Sequence, residues 1–166
     1  MGTDRHAAGT ERLAPHEMRT WRTLIDLTAD LRKALGAELQ DMGVSPGDYA
    51  VLLALSEAEG YALRSSELAE TIDWERSRLS HHLGRRMEKL GLIRREACDG
   101  GRGTLIVLTP AGRDALRNAS GPHLRAVKRY FAESLTPEEL EQLFTLLSRV
   151  RTHFDAVREN ASDNEK

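Results

Sequence analysis

A chain of 166 residues that is 40% hydrophobic and 30% charged holds enough apolar material for one compact core, and it contains no apolar run near the ~18 residues a membrane span needs. The amino-terminal stretch is polar with no apolar signal core, and the single cysteine, Cys98, cannot form an internal disulfide, so a cytoplasmic protein without a membrane partner is expected. The net charge of −2 argues against diffuse nucleic-acid affinity, but Arg76 to Arg95 contains seven arginines and lysines against Glu88 alone, a local +6 that leaves −8 on the remainder.

Residues 1–15 are polar, with Gly2, Gly9 and Pro15, and read as a disordered tail, as do residues 159–166. A long helix is predicted from Pro15 to Met42, because Trp21, Leu24, Thr28, Leu31, Leu35, Leu39 and Met42 recur every three or four residues and Gly43 follows. Ser45-Pro46 restarts a helix, with a capping hydroxyl and a proline suited to the first turn. Its expected core face is Tyr49, Leu52, Leu53 and Ser56, and Gly60 closes it. Tyr61 to Leu63 reads as extended. Ser65 or Ser66 then caps a helix carrying Leu68, Ala69 and Ile72, and Asp73 is placed as the cap of the next helix, about residues 74–90.

Leu92 to Glu96 and Thr104 to Leu108 read as the two strands of a hairpin around the tip Asp99-Gly100-Gly101-Arg102-Gly103. Thr109-Pro110 caps a helix over about 110–134, which Gly121-Pro122 is expected to kink or split. Thr136-Pro137-Glu138-Glu139 forms a capping box before a last helix whose Leu140, Leu143, Leu147, Val150, Phe154 and Val157 follow a heptad seam. The expected fold is therefore mainly α with a small β-hairpin wing. It is a winged helix-turn-helix over 45–109, flanked by long helices over 16–44 and 110–158 to which the family resemblance given below assigns dimerisation.

The helix at 74–90 carries the strongest functional signal. At about 100° per residue, Leu79, Leu83, Met87 and Leu90 fall within about 80° of one another and form a core face. Ser77, Arg78, His81, Gly84, Arg85, Glu88 and Lys89 occupy the opposite side. That side suits a DNA major groove, where arginine can bond guanine O6 and N7 and serine can donate or accept. Ser77, Arg78 and His81 are assigned to base edges. Arg76, Ser80, Arg85 and Lys89 are assigned to phosphates, and Gly84 would let the helix backbone approach the sugar-phosphate edge. Arg102, at a glycine-rich tip with Asp99 beside it, is suited to a narrow minor groove. His81 and His82 point about 100° apart on a helix and cannot serve one metal ion; no metal, cofactor or catalytic motif is found.

The stretch SELAETIDWERSRLSHHLGRRMEKLGLIRRE, followed by DGGRGTLIVLTPAGRDAL, resembles the multiple-antibiotic-resistance regulator (MarR) family over about residues 20–158. The matching features are Leu90-Gly91-Leu92, Asp99 with Arg102, and Leu108-Thr109-Pro110-Ala111-Gly112. Leu135-Thr136-Pro137-Glu138-Glu139 fits as well. The resemblance implies an obligate homodimer with intertwined terminal helices, a ligand-responsive repressor and a pseudo-palindromic double-stranded DNA operator. Dimerisation would rest on Leu140, Leu143, Leu147, Val150 and Phe154, which a symmetric partner would bury. It further implies a small aromatic or phenolic effector, for which Trp21 and Tyr49 are the pocket candidates, with His16 and Asp48 as further ones. Two alternatives stand beside this reading: a winged-helix module whose basic helix meets an acidic protein, and a thiol redox sensor using Cys98.

Overall fold

A computed structural model describes residues 12–98 and 103–163. Residues 1–11 of the expected tail at 1–15, the wing tip with Asp99 and Arg102, and residues 164–166 lie outside the described residues. Among the described residues six α-helices and three strands follow in the order α1 (Pro15–Asp41), α2 (Pro46–Glu57), β1 (Ala62–Arg64), α3 (Ser65–Thr71), α4 (Arg76–His82), β2 (Ile93–Ala97), β3 (Thr104–Leu108), α5 (Pro110–Tyr130) and α6 (Pro137–Asp163). A π-helical turn, Leu83–Met87, continues α4.

Local sequence explains most of the boundaries. Ser45 Oγ accepts from the Asp48 amide while the Asp48 carboxylate accepts from the Ser45 amide, closing a capping box at α2. Thr136 and Glu139 form the same reciprocal pair before α6. At the end of α1, Gly43 adopts φ 75°, and the amides of Gly43 and Val44 donate to the carbonyls of Gln40 and Leu39, a Schellman motif. Gly91 ends the α4 segment in the same way, with Leu92 bonded back to Met87.

The core lies between α2, α3, α4 and the sheet. Leu52, Leu55, Leu68, Leu79, Leu83, Met87, Ile93 and Ile106 are its largest fully buried apolar side chains. The sheet order is β1-β3-β2, all antiparallel, with Leu63 opposite Ile106 and Ile93 opposite Leu108. The extended segment after α2 thus becomes a third strand beside the hairpin, and Tyr61 belongs to a 3-10 turn before it.

Several expectations are corrected by the tertiary structure. The buried face of α2 is Asp48, Val51, Leu52, Ala54 and Leu55, and Leu53 is exposed. This helix meets α1, α3, α5 and β3, so its buried arc is wider than one stripe. Asp73 does not cap α4. It sits at φ 52° in a Schellman motif ending α3, with the amides of Asp73 and Trp74 donating to the carbonyls of Glu70 and Ala69; Glu75 holds the N-cap position of α4. Leu90 is exposed, because the π turn shifts the register after Met87 and Leu90 falls in the terminating turn. Helix α5 runs unbroken through Gly121-Pro122. Part of the clash that drives a residue before proline out of the helical region involves its Cβ, which Gly121 lacks. Finally, α6 extends to Asp163, so residues 159–163 are helical. Its later turns are supported by an Arg151–Asp155 pair at i,i+4 and by Arg158 stacked on Phe154.

Candidate nucleic-acid interface

The segment α4 is anchored by Leu79, Leu83 and Met87, all buried. Arg76, Ser77, Arg78, Ser80, His81, Arg85 and Lys89 are exposed. The face read from the helical wheel is therefore solvent-exposed. The Arg78 guanidinium carbon lies 4.1 Å from the centre of the Trp74 ring, a cation–π contact that holds the side chain over the helix start. Arg76 approaches Glu70 at 3.9 Å with both side chains largely solvated, a weak pairing that DNA phosphate can displace.

Not all of the basic segment is available. Arg86 turns inward: its Nε donates to Asp48 Oδ2 at 2.6 Å and its Nη2 to the Gly43 carbonyl at 3.3 Å. Asp48 is fully buried, so it is a structural anchor in place of the suggested pocket residue. His82 also faces inward, with Nε2 2.9 Å from Asp48 Oδ1 but not aimed for a hydrogen bond. Burial alone would push the Asp48 carboxyl up. The Arg86 hydrogen bond, the hydrogen bond from the Ser45 amide and the Arg86 charge outweigh it and hold the group below its ordinary value.

Arg95 on β2 reaches across to the same segment. Its Nη2 donates to the Ser80 carbonyl at 3.0 Å and its Nε lies 3.3 Å from Glu88 Oε2. Glu88, the one acid of the exposed face, thus has a cation beside it. A Cβ at Gly84 would lie 3.4 Å from Arg95 Nη2, an ordinary contact with the end of that brace.

Arg64, Ser65 and Ser66 are cleft-lining residues that sequence reasoning did not single out as such. With Arg76, Gly103 and Thr104 they line a polar cleft of about 350 Å³ between the helix-turn-helix and the base of the wing. The only signal was the Ser65-Ser66 pair, read as a cap. At the wing base the Cys98 amide donates to the Gly103 carbonyl, and the Cys98 side chain is buried. Tyr49 packs between the core and α5, its ring 4.7 Å from His123 and its hydroxyl 3.4 Å from Ser120 Oγ; Trp21 is exposed on α1. On α6, Leu140 and Leu143 are half-buried while Leu147, Val150 and Phe154 are exposed. Among the described residues no helix is long and apolar enough to cross a membrane.

No family sequence profile and no curated protein sequence matches the chain. Solved structures do. AbsC, a MarR family transcriptional regulator from Streptomyces coelicolor, is 36% identical, with 89% of this chain and 99% of that one aligned at a TM-score of 0.81. A second MarR family transcriptional regulator from Streptomyces coelicolor, solved in complex with DNA, is 33% identical over 87% of this chain and 91% of that one, with a TM-score of 0.79. An organohalide-sensing transcriptional regulator in its 2,4-dichlorophenol-bound form is 25% identical, covering 92% and 89% of the two chains at a TM-score of 0.73.

Proposed function

The chain belongs to the MarR family of DNA-binding transcriptional regulators, which are not enzymes, and from this premise we propose that it is a homodimeric, ligand-responsive repressor of a pseudo-palindromic operator. The observation that carries the proposal is the solvent-facing side of α4, where Arg78 is held on Trp74 and cations flank short hydroxyls. Ser77, Arg78 and His81 read base edges, while Arg76, Ser80, Arg85 and Lys89 hold phosphates. Arg102 is assigned to the minor groove. The cytoplasm, at the nucleoid, is the place of work.

Dimerisation rests on apolar side chains that a single chain leaves in water, among them Trp21 on α1 and Leu147, Val150 and Phe154 on α6. Two copies related by a twofold axis would bury these stripes and set two α4 segments about one DNA turn apart. The effector is a small aromatic or phenolic compound. A relative with a chlorophenol bound supports that class, and Tyr49 with His123 and Ser120 offers an aromatic and polar corner for it.

Sequencing the genomic fragments that the purified protein retains tests this reading. A shared inverted repeat is expected, with affinity that falls steeply as salt rises. Retention of no duplex at low salt overturns it.

A further inference from the structure

The first turn of α2 and the DNA-facing helix are locked together by contacts that the proposed base readout does not itself use. Asp48, fully buried, takes Arg86 on one oxygen and faces His82 with the other. The neighbouring Gly47 completes the seat. A Cβ there would lie 2.9 Å from Trp74 Cη2 and 3.0 Å from His82 Cε1, so α2 presses directly on both rings. Those rings meet edge to face at 5.3 Å, and the outer face of Trp74 carries Arg78. One buried carboxylate thereby touches α4 at His82 and its π-helical continuation at Arg86. Through His82 and Trp74 it backs the arginine assigned to a base.

We propose that Asp48 is a positioning residue for sequence readout: it fixes the Trp74 shelf that aims Arg78, and Arg86 serves it as an internal clamp and not as a phosphate contact. The inference rests on the DNA-binding reading above. A bidentate arginine–guanine contact needs the guanidinium in one place and one orientation, whereas a phosphate contact tolerates several side-chain conformations. Loosening the shelf therefore lowers discrimination between sequences more than it lowers general affinity for DNA.

The test uses the full-length protein and two variants, Asp48→Asn and Arg86→Gln. The second changes a half-exposed side chain and keeps the question answerable if the buried substitution prevents folding. Affinity for the retained operator and for an unrelated duplex of equal length is measured across a salt series. In both variants the operator-to-unrelated ratio is expected to fall about tenfold, the size of one lost base contact, with the wild-type salt slope. Lys89→Gln is the control, and should lower the slope by about 0.9 with the ratio kept. An Arg86→Gln slope reduced like that of Lys89→Gln, or a ratio unchanged in the folded variants, overturns the proposal.

Amide hydrogen exchange of the free protein supplies a readout independent of DNA. Faster exchange confined to residues 74–88 is expected in Arg86→Gln. Uniform acceleration across the chain, or none, counts against positioning. A wild-type protein that binds no duplex removes the DNA-binding function itself, and the exchange pattern then still decides whether Asp48 holds this segment in place.

Discussion

Gly112 sits so close to Leu92 that a Cβ at that position would overlap the Leu92 carbonyl oxygen. The contact is locked by Thr109, whose amide donates to the Leu92 carbonyl, whose hydroxyl donates to the Gly91 carbonyl at 2.6 Å, and whose Oγ1 accepts from the Gly112 amide. The Leu-Thr-Pro-Ala-Gly motif is thus the joint between the end of the α4 segment and the start of α5. Gly112→Ala is expected to destabilise the chain by about 1–3 kcal/mol through overpacking against backbone. Thermal unfolding followed by circular dichroism measures it, and an unchanged midpoint would contradict this joint.

The buried Asp48 makes stability depend on pH in a stated direction. Its carboxyl is held below the ordinary value of 3.8, so the unfolded chain binds its proton more readily than the native chain. The associated stability is complete above the unfolded value and is lost as pH falls through the lowered native one. Denaturant titrations from pH 6 to pH 3 should show a smaller acid-side loss in Asp48→Asn than in wild type, although that variant is less stable at neutral pH.

Arg78 and the outer cations should separate by the kind of loss they produce. Arg78→Ala is expected to reduce operator affinity by about 1–3 kcal/mol while barely changing affinity for unrelated DNA. Arg85→Ala should weaken both targets alike and lower the salt slope by about 0.9. Fluorescence anisotropy over a salt series distinguishes them; equal losses on both targets for Arg78 would remove it from base readout.

Asp73 holds a left-handed conformation, φ 52°, at the turn between α3 and α4. A side chain bearing a Cβ is disfavoured there, and glycine is not. Asp73→Gly is therefore expected to raise stability by about 0.5–1 kcal/mol. A lower unfolding midpoint would mean that the Asp73 side chain makes a stabilising contact.

The exposed residues of α6 predict a change of mass. On the proposed homodimer, Val150→Glu with Phe154→Glu should shift the protein from twice the 18.5 kDa chain mass toward the single-chain value in light scattering. Charge placed in an apolar interface is unpaired and desolvated. Operator binding should weaken with it, and a double variant that stays dimeric locates the interface elsewhere.

Features set by neighbours within four residues were legible in the sequence. The Ser45 cap, the capping pair Thr136–Glu139, the Gly43 and Gly91 stops, and the apolar anchors Leu79, Leu83 and Met87 all follow from helical spacing and local hydrogen bonding. So does the solvent-facing position of Ser77, Arg78, His81, Arg85 and Lys89, because the opposite face had to be apolar.

Which cations remain free to meet a ligand was decided only by the folded chain. Arg86 and Asp48 are 38 residues apart, and Arg95 reaches Ser80 and Glu88 from a separate strand. The same holds for β1 joining the hairpin, for the π turn that displaces Leu90, and for the cleft that gathers Arg64 with Arg76. Periodicity records which side of an element faces inward, because that depends on backbone geometry alone. It carries no information on which distant charge waits on that side, since only packing of the elements brings the two within a few ångströms.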